Sequence, residues 1–184
     1  FNAQNTFKDE NFGFSMDQPK DWLTAKTGET LKNIKEQIKL GPESLRKLLK
    51  ENKGSYQIVS FYKYPIDSRE GVIPTIKVNF STNSTNSLET FKNSLENTYK
   101  KLKEVFPDFK FLIAPTIKQV NGNKCVFGSM TYTVKGNVGE EKVKVMMYAI
   151  PVKNHFYQIT FMDSEKENNA KLFEDLAKTI VVDE

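Results

Sequence analysis

Several stretches of the chain alternate apolar and polar residues with the period of a half-buried β-strand. The most regular stretch is Thr75 to Phe80, in which Ile76, Val78 and Phe80 share one face and Thr75, Lys77 and Asn79 the other. Other stretches alternate in the same way or are apolar at nearly every position, and they are rich in β-branched and aromatic residues; these stretches predict further strands. Strands are expected at 12–16, 57–64, 75–80, 109–113, 116–120, 125–134, 143–149 and 155–162.

Other stretches carry apolar residues at the three- and four-residue spacing of an amphipathic helix. The longest helix is predicted to begin at Asn86, because Glu89 follows three residues later as in a capping box. A last helix is expected near 168–180, with Asp163-Ser164-Glu165 as its cap and acidic first turn. Two short helices are predicted within 29–53, where Gly41 and Pro42 separate them.

Turn residues predict how the later strands pair. Asn121-Gly122 between two strand-like runs is typical of a tight hairpin. The segment Lys135 to Glu140 is expected to close a second hairpin with Val134 near Glu141. For the next pair the expected register places Met147 opposite Ile159, which puts His155 and Cys125 on opposite faces of the sheet.

This order of elements predicts one α+β domain over residues 1–184, an antiparallel β-sheet flanked by helices as an αβα sandwich, with a two-helix insertion at about 29–53. A length of 184 residues exceeds the commonest domain size but is short for two domains. Hydrophobic residues make up 38% of the chain, including 14 Phe and 7 Tyr, which is enough for a sizeable core.

Charge and cysteine content narrow the function classes only slightly. The 27 basic and 23 acidic residues give a net charge of +4, spread along the chain. Arg46 and Arg69 are the only arginines, which disfavours nucleic acid as a partner because phosphates and base edges are read mainly by guanidinium groups. The single cysteine gives no indication of the redox compartment.

The residues that could carry chemistry do not form a recognisable catalytic or metal-binding pattern. A Ser-His-Asp triad or a Cys-His dyad would require His155, and any thiol nucleophile would be Cys125. Even if the register of the last two strands differed by one residue, two strand spacings and an offset of two residues along the strand would separate Cys125 from His155 by roughly 11 Å. Adjacent Glu140 and Glu141 are expected to point to opposite sides of a strand. No catalytic residue, metal ligand or cofactor site is therefore predicted.

One stretch favours a binding surface. Aromatic and basic side chains interleave in Phe61-Tyr62-Lys63-Tyr64-Pro65, and Arg69 follows closely. Tyr62, Tyr64 and Arg69 are the candidate residues for a ligand or partner surface. The alternative is that strand alternation buries one set of aromatics and leaves Tyr62 and Tyr64 as ordinary amphipathic sheet residues.

Three motifs resemble the PsbP-like family, whose fold is also used by a Ran-binding nuclear-import factor. They are Gly13-Phe14-Ser15-Met16 followed by Pro19 and Trp22, the amphipathic stretch 87–102, and a last helix ending in Lys178-Thr179-Ile180. The resemblance implies an antiparallel sheet with flanking helices and a non-enzymatic binding or accessory role. Bacterial proteins of this family are frequently secreted or lipid-anchored in the cell envelope. None of the family's functional residues is matched closely enough to be assigned here.

The leading hypothesis is therefore a non-catalytic binding or accessory domain of an exported bacterial protein, with a lipid anchor upstream of Phe1 as one form of export. Its partner would be a protein or a small ligand, and the membrane would be reached only through that anchor. Two alternatives remain open. One is a hydrolase or other enzyme using carboxylates in a cleft between the sheet and the two-helix insertion. The other is an intracellular protein-interaction module.

Overall fold

The structure, a computed structural model, describes residues 5–26, 54–136 and 139–184, together with residues 47 and 50. The two-helix insertion predicted at 29–53 therefore lies outside the described residues, apart from these two positions. Residues 47 and 50 are helical. The helices whose bounds are described are α1 (Leu88–Lys100), α2 (Ala170–Ala177) and a short 3₁₀ helix at Lys101–Glu104. The ten described strands are β1 (Thr6–Asp9), β2 (Phe14–Asp17), β3 (Leu23–Lys26), β4 (Ser55–Tyr62), β5 (Thr75–Thr82), β6 (Lys110–Val120), β7 (Asn123–Gly136), β8 (Gly139–Val152), β9 (His155–Ser164) and β10 (Val181–Val182).

Seven of these strands form one large sheet in the order β3-β4-β5-β9-β8-β7-β6, and each neighbouring pair is antiparallel. The remaining three form a small sheet in the order β1-β2-β10, also antiparallel. The predicted α+β class with an antiparallel sheet is thus confirmed. The short strands β1, β3 and β10 were not predicted, because none of them lies in an alternating run as long as 12–16, which predicted β2.

Two hairpins fold as their turn residues predicted. Asn121 and Gly122 join β6 to β7 and both have positive φ, 47° and 80°, as a type I′ turn requires. Val134 lies opposite Glu141 in the next hairpin, as expected. Because the register is correct, the alternate residues of β7 and β8 that were expected to share a face do so.

The large sheet has an apolar core on each face. On one face, Phe91 and Leu95 of α1 pack on a row of β8 residues from Val143 to Ala149. On the other face, the small sheet and α2 cover a second set, in which Met146, Tyr148 and Ile150 of β8 contribute. Helices therefore lie on both sides of the sheet, which is the sandwich arrangement that was predicted.

The predicted pairing of β8 with β9 is wrong by one residue. Tyr148, not Met147, lies opposite Ile159, and Met147 lies opposite Thr160. Since β8 is apolar on both faces, its own periodicity did not indicate which face belongs with Ile159. The observed register places Tyr157, Ile159 and Phe161 of β9 in the core beneath the small sheet and α2.

Both helix starts differ in detail from the prediction. The N-cap of α1 is Ser87 rather than Asn86, and its hydroxyl oxygen accepts a hydrogen bond from the Thr90 amide at 3.1 Å. The last helix begins at Ala170, with Asn169 as the N-cap residue. Residues Asp163-Ser164-Glu165 are therefore not its cap, because Asp163 and Ser164 still belong to β9. Within the described residues, neither helix is long and apolar enough to cross a membrane.

Candidate functional site

The structure brings two of the three predicted surface residues together. Tyr64 follows the end of β4, and the guanidinium carbon of Arg69 lies 3.2 Å from the centre of its ring, in cation-π contact. Tyr62 remains in the sheet as the last residue of β4, between Leu23 of β3 and Thr75 of β5. The Tyr64–Arg69 pair therefore forms on the β4–β5 connection, whereas Tyr62 is a half-buried strand residue.

Glu167, in the connection between β9 and α2, ties this pair to the rest of the fold. Its Oε1 atom accepts hydrogen bonds from the Tyr64 hydroxyl and from Lys63 Nζ, each at 2.7 Å. Lys63 Nζ also donates to Asn169 Oδ1 at 3.1 Å. The side chains of Lys63 and Glu167 are 27% and 20% exposed, so water screens this ion pair only partly. The contact fixes the β4–β5 connection against the β9–α2 connection.

A second acid, Glu141 at the start of β8, is buried and holds the same two connections. Its Oε2 atom accepts a hydrogen bond from the Val72 amide at 2.7 Å, and its Oε1 atom accepts one from the Ser164 hydroxyl. The neighbouring Gly71 has φ = 95°, and a Cβ atom there would lie 2.7 Å from Glu141 Oε2. Glycine is thus required for this close approach. Glu140 makes an exposed contact with Lys135, so the two adjacent glutamates lie on opposite sides of the strand, as predicted.

The third acid, Asp163, is the next-to-last residue of β9 and is also buried. It accepts hydrogen bonds from the Asn169 backbone amide at 2.7 Å, from Asn169 Nδ2 at 2.8 Å and from the Ser164 amide at 3.0 Å. These bonds hold the loop that leads into α2. We call the hydrogen-bonded set the polar cluster; its members are Lys63, Tyr64, Glu141, Asp163, Ser164, Glu167 and Asn169.

The protonation equilibria in the polar cluster favour its charged forms. Burial opposes ionisation of Glu141, but the hydrogen bonds from Ser164 and Val72 outweigh it and lower the pKa of this carboxyl. Burial likewise opposes the charge on Glu167, yet hydrogen bonds from Lys63 and Tyr64 lower its pKa. The same pairing with Glu167 overcomes partial burial of Lys63 and raises the pKa of its ammonium group. Neither glutamate is therefore tuned as a proton donor near neutral pH.

Two depressions flank the β9–α2 connection. The first, which we call the Arg69 cleft, has a volume of about 740 Å³ and is lined by residues 67–72, the β7–β8 hairpin and Lys166. The second, the lysine groove, has a volume of about 460 Å³ and is lined by three lysines and three acids, which are Lys110, Lys142, Lys144, Asp163, Glu165 and Glu167. Both volumes fall within the range of small-ligand sites.

The expectation that His155 and Cys125 lie on opposite faces of the sheet is wrong. Because the β8–β9 register differs by one residue, His155 stacks on Phe80, with ring centres 4.8 Å apart, in the same core that contains Cys125. The two residues are still separated by strand β8, which is roughly 10 Å between β7 and β9. Burial raises the pKa of the Cys125 thiol to about 11, so it is not a thiolate at neutral pH.

Within the part of the chain that the structure describes, no three His, Cys, Asp or Glu side chains are placed to hold a metal ion. The sequence prediction did not identify Glu141, Asp163 or Glu167 as members of a common site. Val72, which bonds to Glu141, and Lys63 and Tyr64, which bond to Glu167, are 69 to 104 residues away from these acids along the chain. The available signal was a polar run, 163–169, placed directly after a buried strand.

Comparison with known proteins relates the chain to others through structure rather than sequence. No family model matches it, and no curated protein has a significant match in sequence. The solution structure of cyanobacterial PsbP from Synechocystis matches 100% of this chain and 94% of its own, with a TM-score of 0.58 and 12% identity. LpqN, involved in cell envelope biogenesis of Mycobacterium tuberculosis, matches 100% of this chain and 87% of its own, with a TM-score of 0.51 and 10% identity.

A crystal structure from Bacteroides thetaiotaomicron matches 98% of this chain, with a TM-score of 0.52 and 13% identity. The chain spans about half of that protein, 49% of its length. At such low identities these likenesses concern the fold alone. They confirm the expectation drawn from the sequence motifs: the chain has the PsbP-like fold.

Proposed function

We propose that this chain is a non-catalytic binding or accessory domain of an exported bacterial protein. The observation that carries the proposal is that the two buried acids, Glu141 and Asp163, accept hydrogen bonds that hold the fold together. Each oxygen of Glu141 and of Asp163 accepts a hydrogen bond from a backbone amide or a side chain of the connections it holds. These bonds hold both carboxylates in place as structural acceptors, and the lowered pKa of Glu141 disfavours its use as a proton donor.

The alternative of a carboxylate-dependent hydrolase has one observation in its favour, since Glu141 and Asp163 are both buried and both bonded around Ser164. A general acid of that kind needs a raised pKa, whereas the pKa of Glu141 is lowered. The cleft between the sheet and the two-helix insertion, where such a site is expected from the sequence, involves residues outside the described part. The hydrogen bonding of the acids therefore favours the binding role.

Export is proposed from the shared fold. LpqN shares the fold and is involved in cell envelope biogenesis, which is a statement about LpqN. Its bearing on this chain is that an envelope protein can use this fold over nearly the whole length of the domain. We propose the cell envelope or the extracellular space as the location, with a lipid anchor or a cleaved signal preceding residue 1.

The proposed ligand surface is the Tyr64–Arg69 pair, with Tyr62 nearby at the end of β4, and the adjoining Arg69 cleft. The Tyr64 hydroxyl is already bonded to Glu167, so a ligand would use the faces and edges of the ring and of the guanidinium group. These flat surfaces suit aromatic or planar polar groups of a partner.

A reporter fusion tests the location. The complete reading frame that encodes this chain is fused at its C-terminus to alkaline phosphatase, which is active only outside the cytoplasm, and in parallel to β-galactosidase. The proposal predicts phosphatase activity without β-galactosidase activity. The reverse pattern would favour the intracellular interaction module and overturn export.

A further inference from the structure

A third depression, which we call the α1 pocket, lies at the opposite end of strand β9 from the polar cluster. It has a volume of about 400 Å³, which is within the range of small-ligand sites. One side of α1 forms its first wall, and residues 82–85 at the end of β5 form its second. Phe156 and Gln158 line it from the start of β9. The α1 pocket shares no lining residue with the Arg69 cleft.

No charged side chain lines the α1 pocket within the described part of the chain. Charged residues make up 27% of the sequence, and both the Arg69 cleft and the lysine groove contain acidic and basic groups. The lining of the α1 pocket consists instead of Ser, Thr, Asn, Gln and Tyr side chains together with Phe and Leu. The pocket therefore offers neutral hydrogen-bonding groups beside an apolar surface, and no partner for an ion pair.

Gln158 and Tyr99 supply one free donor and one free acceptor. Gln158 Nε2 donates a hydrogen bond to the Tyr99 hydroxyl oxygen at 2.7 Å. The Tyr99 hydroxyl proton and Gln158 Oε1 have no hydrogen-bond partner among the described residues. Burial raises the pKa of the Tyr99 hydroxyl, which therefore stays protonated and able to donate. Reversing the Gln158 amide would exchange the two roles and still leave one donor and one acceptor.

This pair matches a ligand hydroxyl group better than a charged group. A hydroxyl can accept from Tyr99 and donate to Gln158, whereas a carboxylate has no proton to donate and an ammonium group cannot accept. Asn79 lies opposite Gln158 on β5, and its buried Oδ1 atom has no hydrogen-bond partner within the described residues. A second unpaired acceptor on this face of the sheet further disfavours an anion.

Phe156 supplies the apolar surface of the pocket. It is half-buried, and its ring meets that of Phe91 edge to face, with ring centres 5.0 Å apart. The face of an aromatic ring carries partial negative charge and attracts C–H groups with partial positive charge. Sugar rings combine such C–H groups on their faces with hydroxyl groups at their rim. Both features of the pocket are therefore matched by one class of ligand.

We propose that the α1 pocket binds a neutral polyhydroxylated ligand, namely a sugar unit that is part of a free oligosaccharide or of a glycan polymer. The inference rests on the binding role proposed above and adds a second site to it, with the chemistry of its ligand. A purely apolar ligand is a poorer fit, because it would leave Tyr99 and Gln158 covered and without partners.

An NMR titration of the isotope-labelled protein tests the proposal. The probes are maltotriose, cellotriose and N,N′,N″-triacetylchitotriose, and the comparison ligands are trigalacturonic acid and the peptide Gly-Ser-Gly-Ser-Gly. At least one neutral trisaccharide should shift the Gln158 side-chain amide signals saturably, with a Kd in the millimolar range or below. Trigalacturonic acid should not do so. An absence of saturable shifts with all three neutral sugars would overturn the proposal. Binding of the peptide alone would assign the pocket to a polypeptide and overturn it too.

A matched pair of tyrosine variants locates the site. Tyr99→Phe removes the donor and keeps the ring, whereas Tyr132→Phe removes a hydroxyl from the same apolar cluster outside the pocket. Tyr99→Phe should weaken sugar binding by about fivefold, as expected for one neutral hydrogen bond, and Tyr132→Phe by less than about twofold. Gln158→Leu should abolish saturable binding in the same concentration range. Equal effects of the two tyrosine variants would contradict the pocket. Circular dichroism verifies that each variant is folded.

Pelleting with insoluble amylose, cellulose or chitin distinguishes the two sources of the sugar. Retention on the polymer of the trisaccharide that binds would assign a glycan polymer, and binding of the trisaccharide without retention would assign a free oligosaccharide. These results are independent of the reporter fusions. An absence of sugar binding would leave the proposed export and the Tyr64–Arg69 surface intact, and a cytoplasmic fusion pattern would not change the titration.

Discussion

Removing the Glu141 carboxylate should destabilise the fold far more than removing its neighbour. In Glu141→Ala, the Val72 amide and the Ser164 hydroxyl both lose their acceptor in a site where Glu141 is 6% exposed. A hydrogen bond to a charged group contributes about 1.5–3 kcal/mol, and a buried donor left without a partner adds to the cost. We expect the free energy of unfolding to fall by about 2–4 kcal/mol. For a chain of this size that corresponds to a decrease in Tm of about 5–15 °C.

Urea unfolding followed by circular dichroism measures this change, and Glu140→Ala is the matched control. Glu140 precedes Glu141 in β8 but is exposed, with its only described ion pair 3.6 Å from Lys135. Its removal should leave stability within experimental error. Glu141→Gln should lie between the two, because the amide keeps one acceptor for Val72. If Glu141→Ala were as mild as Glu140→Ala, Glu141 would not hold the two connections and the structural interpretation would be refuted.

Three further predictions concern the same framework. Gly71→Ala should lower the free energy of unfolding by about 1–3 kcal/mol, which is more than Gly122→Ala should cost. A Cβ at Gly71 would lie 2.7 Å from Glu141 Oε2, whereas a Cβ at Gly122 would have no atom within 4 Å. Equal effects of the two substitutions in thermal melts would rule out the clash. Cys125 should resist a thiol-reactive disulfide reagent at pH 8 in the native state and react in urea, since its pKa is raised to about 11; rapid native labelling would contradict its burial. Glu167→Gln should cost about 1–2 kcal/mol at neutral pH. The pKa of Glu167 is lower in the folded than in the unfolded protein, so the stability difference between the parent protein and Glu167→Gln should be fully present above the unfolded pKa. It should vanish as the pH falls through the folded pKa. A stability difference that stays constant across this pH range in urea titrations would exclude the ion pair as its cause.

Features encoded by neighbouring residues could be predicted from the sequence. Asn121-Gly122 specifies its hairpin through backbone conformations that few other residue pairs adopt easily. The β7–β8 register followed from the alternation on both strands, which leads from Val134 opposite Glu141 to Val126 opposite Ala149. Strand β6 was predicted as two pieces, but Pro115 is accommodated within one strand where the pairing is irregular. Turn residues and strand alternation were thus sufficient to predict most strands of the large sheet.

Features that depend on distant contacts could not be predicted. The predicted register of β8 with β9 was wrong because β8 presents apolar residues to both faces of the sheet. Alternation along β8 is therefore equally consistent with two registers that differ by one residue. The polar cluster was missed because its bonds join residues far apart in sequence, such as Tyr64 and Glu167. Before the fold is known, Glu141 is one of two adjacent glutamates, and nothing local distinguishes the buried one.

The most direct test of the central claim is the titration of Glu141 and Glu167 by NMR of their side-chain carboxyl carbons. The claim is that these two acids are structural acceptors in a non-catalytic domain, and it predicts that both carboxyls titrate below the ordinary glutamate pKa of about 4.3. A pKa above about 6 for either residue would identify a proton donor of the kind that hydrolases use, and would contradict the account.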